Sequence, residues 1–552
     1  MLKASFDRCC RAGVLLFWIT AASLSRGAGS AVEFDTQNDG LRVPDGFQVA
    51  VVAEVLGRAR HLAVRDNGDI YVAMRESHAN KCLAALRDTD GDAVADLIHY
   101  FGDYGECGSV EIHRGYLYFS NLKTVYRVPL KEGELVPSGE VEVVAKDFAA
   151  NGQWHNYKVL AFDESGNVYV NVGSPSNVCQ TVSRKPGSPG LAPCPQLAGR
   201  AGIWRFRADE NNQRQAGDGH RYATGIRNGV ALAWNPLSKA LYTIPHGRDL
   251  LHDLWPGFYS SQDSAELPAE EFFRLHDGFN GGWPYAYYDQ RRQQKMVSPE
   301  YGGRGDTPET SAKYGDPVYA FPGHWGPNDL IFYTGSQFPQ HYFGGAFVAF
   351  VGGWNRAPYP QQGYKVMFVP FNESGDPGGD AMVFADNFAK TAEVYSPDDA
   401  QHRPTGLAQG PDGSLYISDS NTGRIWRVFY TGKSLPGGNR SSAARVEARQ
   451  PAAANGPQDK AYMAHCAACH MANGSGVSRY QPALRGSALV AGPERELVEL
   501  VLKGKNSDDY ANSMPAFAHL DDETLARILS YIRGGFGNSA EAISADDVRG
   551  YR

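Results

Sequence analysis

The chain has 552 residues, too many for one ordinary core, so two or more folding units are expected. Hydrophobic residues make up 42% and charged residues 21%, the balance of a soluble globular protein. The formal net charge is −8 and no long basic run occurs, which argues against nucleic acid or an anionic membrane surface as the main partner.

The chain begins with a basic start, Lys3, Arg8 and Arg11, then an apolar run from Ala12 to Leu24 and small residues Ala28, Gly29, Ser30 and Ala31. This is the pattern of an export signal over residues 1–31, with an uncleaved anchor as the alternative. No other stretch looks transmembrane, so the mature protein is expected to be periplasmic or secreted. Cys9 and Cys10 fall in the signal and Cys466 and Cys469 in a motif discussed below, which leaves Cys82, Cys107, Cys179 and Cys194. An even remainder in an exported protein suggests two disulfides. Four cysteines allow three pairings. Short loops favour Cys82–Cys107 and Cys179–Cys194, and the spacing is poor for a zinc site.

Residues 32–431 repeat a theme in which a Gly-containing turn leads into an apolar–aromatic strand. It occurs at Asn67–Val72, Gly115–Phe119, Ser165–Val170, Leu241–Thr243, Gly345–Val348 and Asp412–Ile417. A second theme follows in several units: Val125–Val128, Ile203–Phe206, Phe272–Leu275 and Ile425–Val428. Alternation gives each strand one buried face, and repeats of this length with several strands each are those of propeller blades. A mainly β fold is expected, a six-bladed β-propeller followed by a small all-α domain. The wide gap between Leu241 and Phe347 implies long loops, which commonly carry a site.

Residues 432–457 are rich in Ser, Ala, Gly, Arg and Pro without periodicity and read as a linker. Past it the pattern turns helical. Asp521-Asp522-Glu523 starts a helix with Leu525, Ile528, Leu529 and Ile532 on its apolar face. The helical domain is expected over 458–540, with 541–552 a tail.

Cys466-Ala467-Ala468-Cys469-His470 is the attachment pattern of c-type haem. Two cysteines one turn apart form the thioethers, and the adjacent His470 is aimed at the iron. Met514, in Ser513-Met514-Pro515, precedes the last amphipathic helix, where class I cytochromes place the axial Met. His/Met ligation suits electron transfer. A core methionine is the alternative for Met514. Pro482 resembles the residue whose carbonyl orients the proximal histidine.

No Gly-x-Gly-x-x-Gly follows an early strand, so a Rossmann cofactor is not expected. Gly225-Ile226-Arg227-Asn228, Ala233-Trp234-Asn235-Pro236, His246-Gly247-Arg248-Asp249, Gly281-Gly282-Trp283-Pro284, Tyr333-Thr334-Gly335-Ser336-Gln337-Phe338-Pro339 and Gly353-Trp354-Asn355-Arg356 stand in order. This ordered set resembles the six-bladed pyrroloquinoline quinone (PQQ) dependent sugar dehydrogenases, in particular their L-sorbosone and pyranose dehydrogenase branch. It covers roughly Gly46 to Tyr430. PQQ is a flat tricarboxylate quinone that needs cations and a flat surface. Arg227 and Arg356 suit its carboxylates as bidentate partners, and Arg60 and Arg403, which precede strands, are further candidates. Asn228, Asn355 and Trp354 suit the ring. For each arginine the alternative is a blade-stabilising role.

The resemblance also implies a Ca²⁺ held partly by backbone carbonyls, here Gly247 and Arg248. It implies a catalytic base, here His155 before an apolar strand, with His324 in reserve. Trp154 stands where the family often has Asp. Asp88-Thr89-Asp90-Gly91-Asp92 with Asp96 resembles a calcium loop but has Ala93 where Gly is wanted; a solvated acidic turn is the alternative. Together these readings imply a dehydrogenase that oxidises a sugar or hydroxy-aldehyde with PQQ. Its electrons would pass to the tethered haem and on to an external acceptor, a cytochrome or terminal oxidase. Alternatives are a calcium-dependent propeller lactonase and a non-catalytic binding propeller, each with the cytochrome as a separate carrier.

Overall fold

The computed structural model describes residues 32–552 except 33, 36, 55, 151–154, 434–458, 479, 506–509 and 511. The export signal, Trp154 and most of the 432–457 linker therefore lie outside the described residues.

Six sheets built on antiparallel strands follow one another in sequence, each opened by a strand facing the central axis. The innermost strands are Ala59–Val64, Ser109–His113, Leu160–Phe162, Ala231–Asn235, Pro327–Phe332 and Pro404–Gln409. Each contacts the next around a closed ring, and the last contacts the first. The architecture is a six-bladed β-propeller. The six copies of the Gly-turn theme are the second strands of the six blades, Ile70–His78, Tyr116–Ser120, Asn167–Val172, Ala240–Ile244, Ala346–Phe350 and Leu415–Asp419. These strands are covered on both faces, which is why their apolar residues run nearly uninterrupted; Ala346–Phe350 is buried throughout.

The ring is closed by the chain's own start. Phe47–Ala53 pairs antiparallel with Ile425–Tyr430, with Phe47 opposite Tyr430, so the sixth blade combines both ends of the propeller. Phe47 meets Phe338, Tyr342 and Phe384 edge-on at centroid distances of 4.8, 5.5 and 5.1 Å. Burying one such side chain is worth roughly 1.5–3 kcal/mol, and the edge-on pairs add to that. Both short-loop disulfides are formed, Cys82–Cys107 and Cys179–Cys194. The long interval in the fourth blade holds the helices Leu251–Leu254 and Ser261–Glu266 and the hairpin Ala286–Asp289/Gln294–Val297.

The C-terminal domain is all-helical. Asp521 caps the helix Asp522–Gly534 by accepting from Thr524 N at 2.7 Å, and Leu525, Ile528, Leu529 and Ile532 are buried. Residues 541–552 are not a loose tail. They carry the helix Ala545–Tyr551, whose Val548 is fully buried in the same core. The apolar i, i+3 spacing of so short a segment is too sparse to reveal this from sequence. Among the described residues no helix is long and apolar enough to cross a membrane.

Candidate functional site

Strand direction alternates within a blade, so the loop entering the innermost strand and the loop leaving the second strand emerge on the same end of the propeller. A cavity of about 470 Å³ opens there, within the range of cofactor sites. Entry loops and strand starts supply Arg60, His155, Arg227, Asn228, His324 and Arg403. The second-strand loops supply Arg75, His246, Gly247, Asp249, Trp354 and Asn355. Nearly every residue that the resemblance put forward for the quinone, its Ca²⁺ or the base is thus brought to one chamber.

Two are not. Arg356 is 3% exposed and turned away from the cavity. Its guanidinium donates to Glu266 Oε1 at 2.6 Å and to the carbonyls of Ala265, Gly323 and Pro360, so it braces the loop that carries Trp354 and Asn355. The Arg248 side chain also leaves the cavity and pairs with the buried Glu300 at 2.5 Å. Neither is placed to touch a ligand in the chamber through its side chain.

Arg227 lines the chamber, but its donors are engaged by Asp249 at 2.9 Å, Asn177 Oδ1 at 3.1 Å and the Gly247 carbonyl at 2.5 Å. Asp249 also accepts from Asn355 at 2.9 Å and Arg184 at 3.2 Å. Burial alone would raise the Asp249 pKa; Arg227 and Arg184 outweigh it and hold the carboxyl below its ordinary value. Glu270 accepts from the amides of Gly247 and Gly326 at 3.1 Å each, and burial pushes it up to about 7.

Arg60, Arg75 and Arg403 differ from Arg227. None forms an ion pair with a carboxylate among the described residues. Arg60 lies 4.2 Å over the Tyr157 ring and gives Nε to the Gly108 carbonyl, while its Nη2 is buried with no partner. Arg403 donates to the carbonyls of Val351 and Gly352 at 2.9 and 2.8 Å. Burial lowers the pKa of both, and the positive charge of Arg75 lowers each further. Asn228 Oδ1 is likewise buried without a partner. Its amide nitrogen is 3.5 Å from His246 Nδ1, and His246 Nε2 donates to Pro327 O at 2.8 Å.

His155 sits at φ 53°, in the left-handed region that costs a non-glycine residue strain and is concentrated at functional sites. Its Nδ1 donates to Ser174 O at 2.8 Å, which fixes the tautomer with its proton on Nδ1. Burial first, and Arg227 second, lower its pKa well below the ordinary histidine value, so the ring is neutral at neutral pH. Gly173 makes this placement possible, since a Cβ there would lie 2.5 Å from His155 Cβ and 2.7 Å from Asn228 Oδ1. His324, at φ 63°, gives Nε2 to the carbonyls of Ser264 and Leu267 at 2.9 and 3.1 Å.

In the C-terminal domain Cys466 and Cys469 are free and part-buried. His470 Nδ1 donates to the Pro482 carbonyl at 2.9 Å, which fixes its proton on that nitrogen. Met514 is partly buried against the helical core and bridges antiparallel to Lys505. Outside both sites, Asp88, Asp90 and Asp96 bring carboxylate oxygens within 4.8 Å of one another. Asp88 already accepts from the amides of Gly91 and Ala93, and Asp96 from Thr89.

Sequence reading did not single out Arg75, Tyr157, Glu270 or Tyr480 as cavity residues. Asp249 stands in the His246-Gly247-Arg248-Asp249 motif but was given no role there. Arg75 simply ends an apolar strand, and Tyr480 belongs to the other domain, so neither carries a local signal.

Residues 41–431 match the family described as TrAA12-like, and residues 454–532 match cytochrome C oxidase, cbb3-type, subunit III. A Borreliella burgdorferi protein described only as uncharacterized is 23% identical over 405 residues, 71% of this chain and 91% of its own. The cytochrome c subunit of the quinone alcohol dehydrogenase of Gluconobacter oxydans is 36% identical over 99 residues, 16% of this chain and only 21% of that subunit. Among solved structures, the holo form of the PQQ domain of pyranose dehydrogenase from Coprinopsis cinerea has a TM-score of 0.54 at 18% identity, covering 72% of this chain and 98% of its own. That likeness is one of fold.

Proposed function

The chain belongs to the TrAA12-like family, and from that premise we propose that it is a quinohaemoprotein dehydrogenase. In this reading it oxidises a sugar or related hydroxy-aldehyde with PQQ and passes the electrons through a covalent haem to an external acceptor. The observation that carries the reading is the cluster Arg60, Arg75 and Arg403. Among the described residues, three buried or half-buried guanidinium groups face one chamber without a carboxylate partner, and Arg60 keeps a buried nitrogen unpaired. An unmatched cationic cluster of this kind suits a polyanion. PQQ has three carboxylates. A lactonase or a simple docking propeller would leave this charge unmatched.

Arg60, Arg75 and Arg403 would hold the carboxylates, Asn228 would offer its unpaired oxygen, and Trp354 would supply a flat apolar face. Asp249, Glu270 and the Gly247 carbonyl form an oxygen-donor set of the type that suits Ca²⁺. When bound, PQQ supplies a two-electron hydride acceptor. The protein's part is to desolvate the substrate hydroxyl and take its proton. His155 Nε2 serves as that base, because the Ser174 carbonyl fixes the tautomer and Arg227 opposes protonation. Arg227, neutralised by Asp249, holds the Gly247 carbonyl in position instead of clamping a ligand.

In the C-terminal domain Cys466 and Cys469 would form the thioethers, and His470 and Met514 would hold the iron. When attached, haem supplies one-electron relay. The Pro482 carbonyl fixes the His470 ring and raises its basicity as a ligand. With an export signal over residues 1–31, the working compartment is periplasmic or extracellular, which agrees with two disulfides.

The test is reconstitution. Metal-free apoprotein titrated with PQQ and Ca²⁺ is expected to quench tryptophan fluorescence in a saturable manner and to gain dye-linked activity toward aldoses, sorbosone or simple alcohols. Folded protein that neither binds PQQ nor gains activity would overturn the reading.

A further inference from the structure

We propose that the haem domain is itself a wall of the cofactor chamber, and that Tyr480 bridges the chamber to the histidine that ligates the haem. This rests on the reading above that the chamber holds PQQ and the Cys-x-x-Cys-His segment holds haem.

Of the chamber's described lining residues, Tyr480 alone comes from the C-terminal domain. Its ring packs on Trp354 with centroids 4.9 Å apart and planes at 34°. Its hydroxyl lies 2.7 Å from Arg75 Nη2 and accepts from it. Arg75 is one of the three guanidinium groups without a carboxylate partner among the described residues, and the small domain supplies it with a hydrogen-bond acceptor. The neighbouring loop adds two contacts farther out: Ser396 Oγ donates to Gly476 O at 2.8 Å, and Ser478 N donates to Asp398 Oδ2 at 3.0 Å. Ala357, which follows Arg356 on the propeller, packs against the helical core. A side-chain anchor and two hydrogen bonds thus seat Gly476, Ser478 and Tyr480 on the end of the propeller that carries the chamber, and Ala357 adds an apolar contact to the helical core.

The same loop leads directly to the haem ligand. Tyr480 is two residues before Pro482, whose carbonyl accepts from His470 Nδ1 at 2.9 Å. The path from the chamber to the axial histidine is one ring contact, two residues of backbone and one hydrogen bond. Substrate oxidation breaks a C–H and an O–H bond, forms C=O, and releases two electrons and two protons. The protons leave through His155 and solvent. Haem held by Cys466, Cys469 and His470 would supply the one-electron acceptor at the end of this path, and two such transfers would balance each substrate oxidised. Each electron is then passed to an external one-electron acceptor, so two acceptor molecules are reduced per substrate. The docked arrangement shortens the transfer and shields the reduced cofactor from water.

The experiment uses full-length, haem-loaded protein with Tyr480→Ala and, separately, Asp398→Arg, which breaks the seat at a residue outside the chamber lining. Small-angle X-ray scattering before PQQ is added reads docking directly, and both variants are expected to show a larger radius of gyration. After PQQ and Ca²⁺ loading, sugar-driven haem reduction in a stopped-flow spectrometer is expected to slow by about tenfold or more in both, because an undocked tether loses the effective concentration that docking supplies. Dye-linked turnover of Asp398→Arg stays at the wild-type level. Unchanged radius and unchanged haem reduction in both variants would overturn the proposal. If wild-type protein shows neither dye-linked turnover nor haem reduction, the PQQ reading has failed, and the scattering comparison alone decides whether the domains dock through Tyr480.

Discussion

Arg227 Nη2 and Asp249 Oδ2 form an ion pair of 2.9 Å at the wall of the chamber, with side chains only 6% and 12% exposed. Arg227 is therefore neutralised before any ligand arrives. Its remaining donors hold Asn177 and the Gly247 carbonyl, and Asp249 in turn fixes Asn355 and Arg184. The pair ties loops of the third, fourth and fifth blades into one rigid frame.

Asp249→Asn should strip the countercharge from Arg227 and leave it buried. Breaking a buried pair from one side costs about 3–5 kcal/mol, read as a fall in the propeller's unfolding midpoint. The pH dependence has a defined sign. The folded pKa of Asp249 lies below its unfolded value, so this stability is fully present above about pH 4 and is lost as pH falls toward the folded value. The Asp249→Asn variant should lack that acid dependence. Equal midpoints and equal acid profiles for both proteins would refute the structural role.

Arg60→Ala and Arg356→Ala should diverge. Arg60 carries an unpaired buried nitrogen and is repelled by Arg75, so its removal should leave apoprotein stability unchanged or raised while weakening PQQ binding. Arg356 is paired with Glu266 and three carbonyls away from the chamber. Its removal should lower the unfolding midpoint by the equivalent of about 3 kcal/mol or more, with loss of PQQ affinity only as the Trp354 loop loosens. Fluorescence titration and thermal unfolding on the same samples check both. A stable Arg356→Ala protein with abolished PQQ binding would restore Arg356 as a ligand residue.

The contrast between these arginines shows where sequence was legible. Each blade's second strand announced itself, because a Gly turn followed by apolar and aromatic alternation is a local signal. Arg227-Asn228 and His246-Gly247 were legible because their motifs sit at strand starts and ends, where loop direction is set by the fold. Within Gly353-Trp354-Asn355-Arg356, Trp354 and Asn355 face the chamber while Arg356 faces the blade. Adjacent residues of a loop need not share a direction, and composition does not say which way each turns. Arg75 and Tyr480 meet only because a propeller strand and a domain about 400 residues later converge on one cavity. No local pattern encodes such a contact.

Met514→Ala separates an axial ligand from a packing residue. Thioethers formed at Cys466 and Cys469 would not involve Met514, nor does the His470–Pro482 bond, so covalent haem content should be unchanged. If Met514 ligates the iron, the haem potential should fall and the absorption features of thioether ligation should vanish, since His/Met ligation raises the potential. Spectroelectrochemistry measures this directly. A variant with lowered thermal stability but an unaltered potential would assign Met514 to the helical core alone.

His155 carries the most specific prediction about rate. His155→Ala should lower turnover per PQQ-loaded molecule by about 10²–10⁴-fold, the usual loss of a general base, with PQQ affinity nearly intact if the arginines hold the cofactor as proposed. The pH profile gives a second reading. Burial and Arg227 hold the His155 pKa well below its ordinary value near 6.5. The neutral base thus persists as pH falls, and the acid limb of the rate profile should lie well below 6.5. Stability moves in the linked direction. The unfolded chain binds a proton here more readily than the folded one, so His155 makes stability fall as pH drops below about 6.5, and His155→Ala should weaken that dependence. Turnover near the wild-type level in His155→Ala would sink the assignment. His324, whose Nε2 is held by two carbonyls, would then be the next residue to replace.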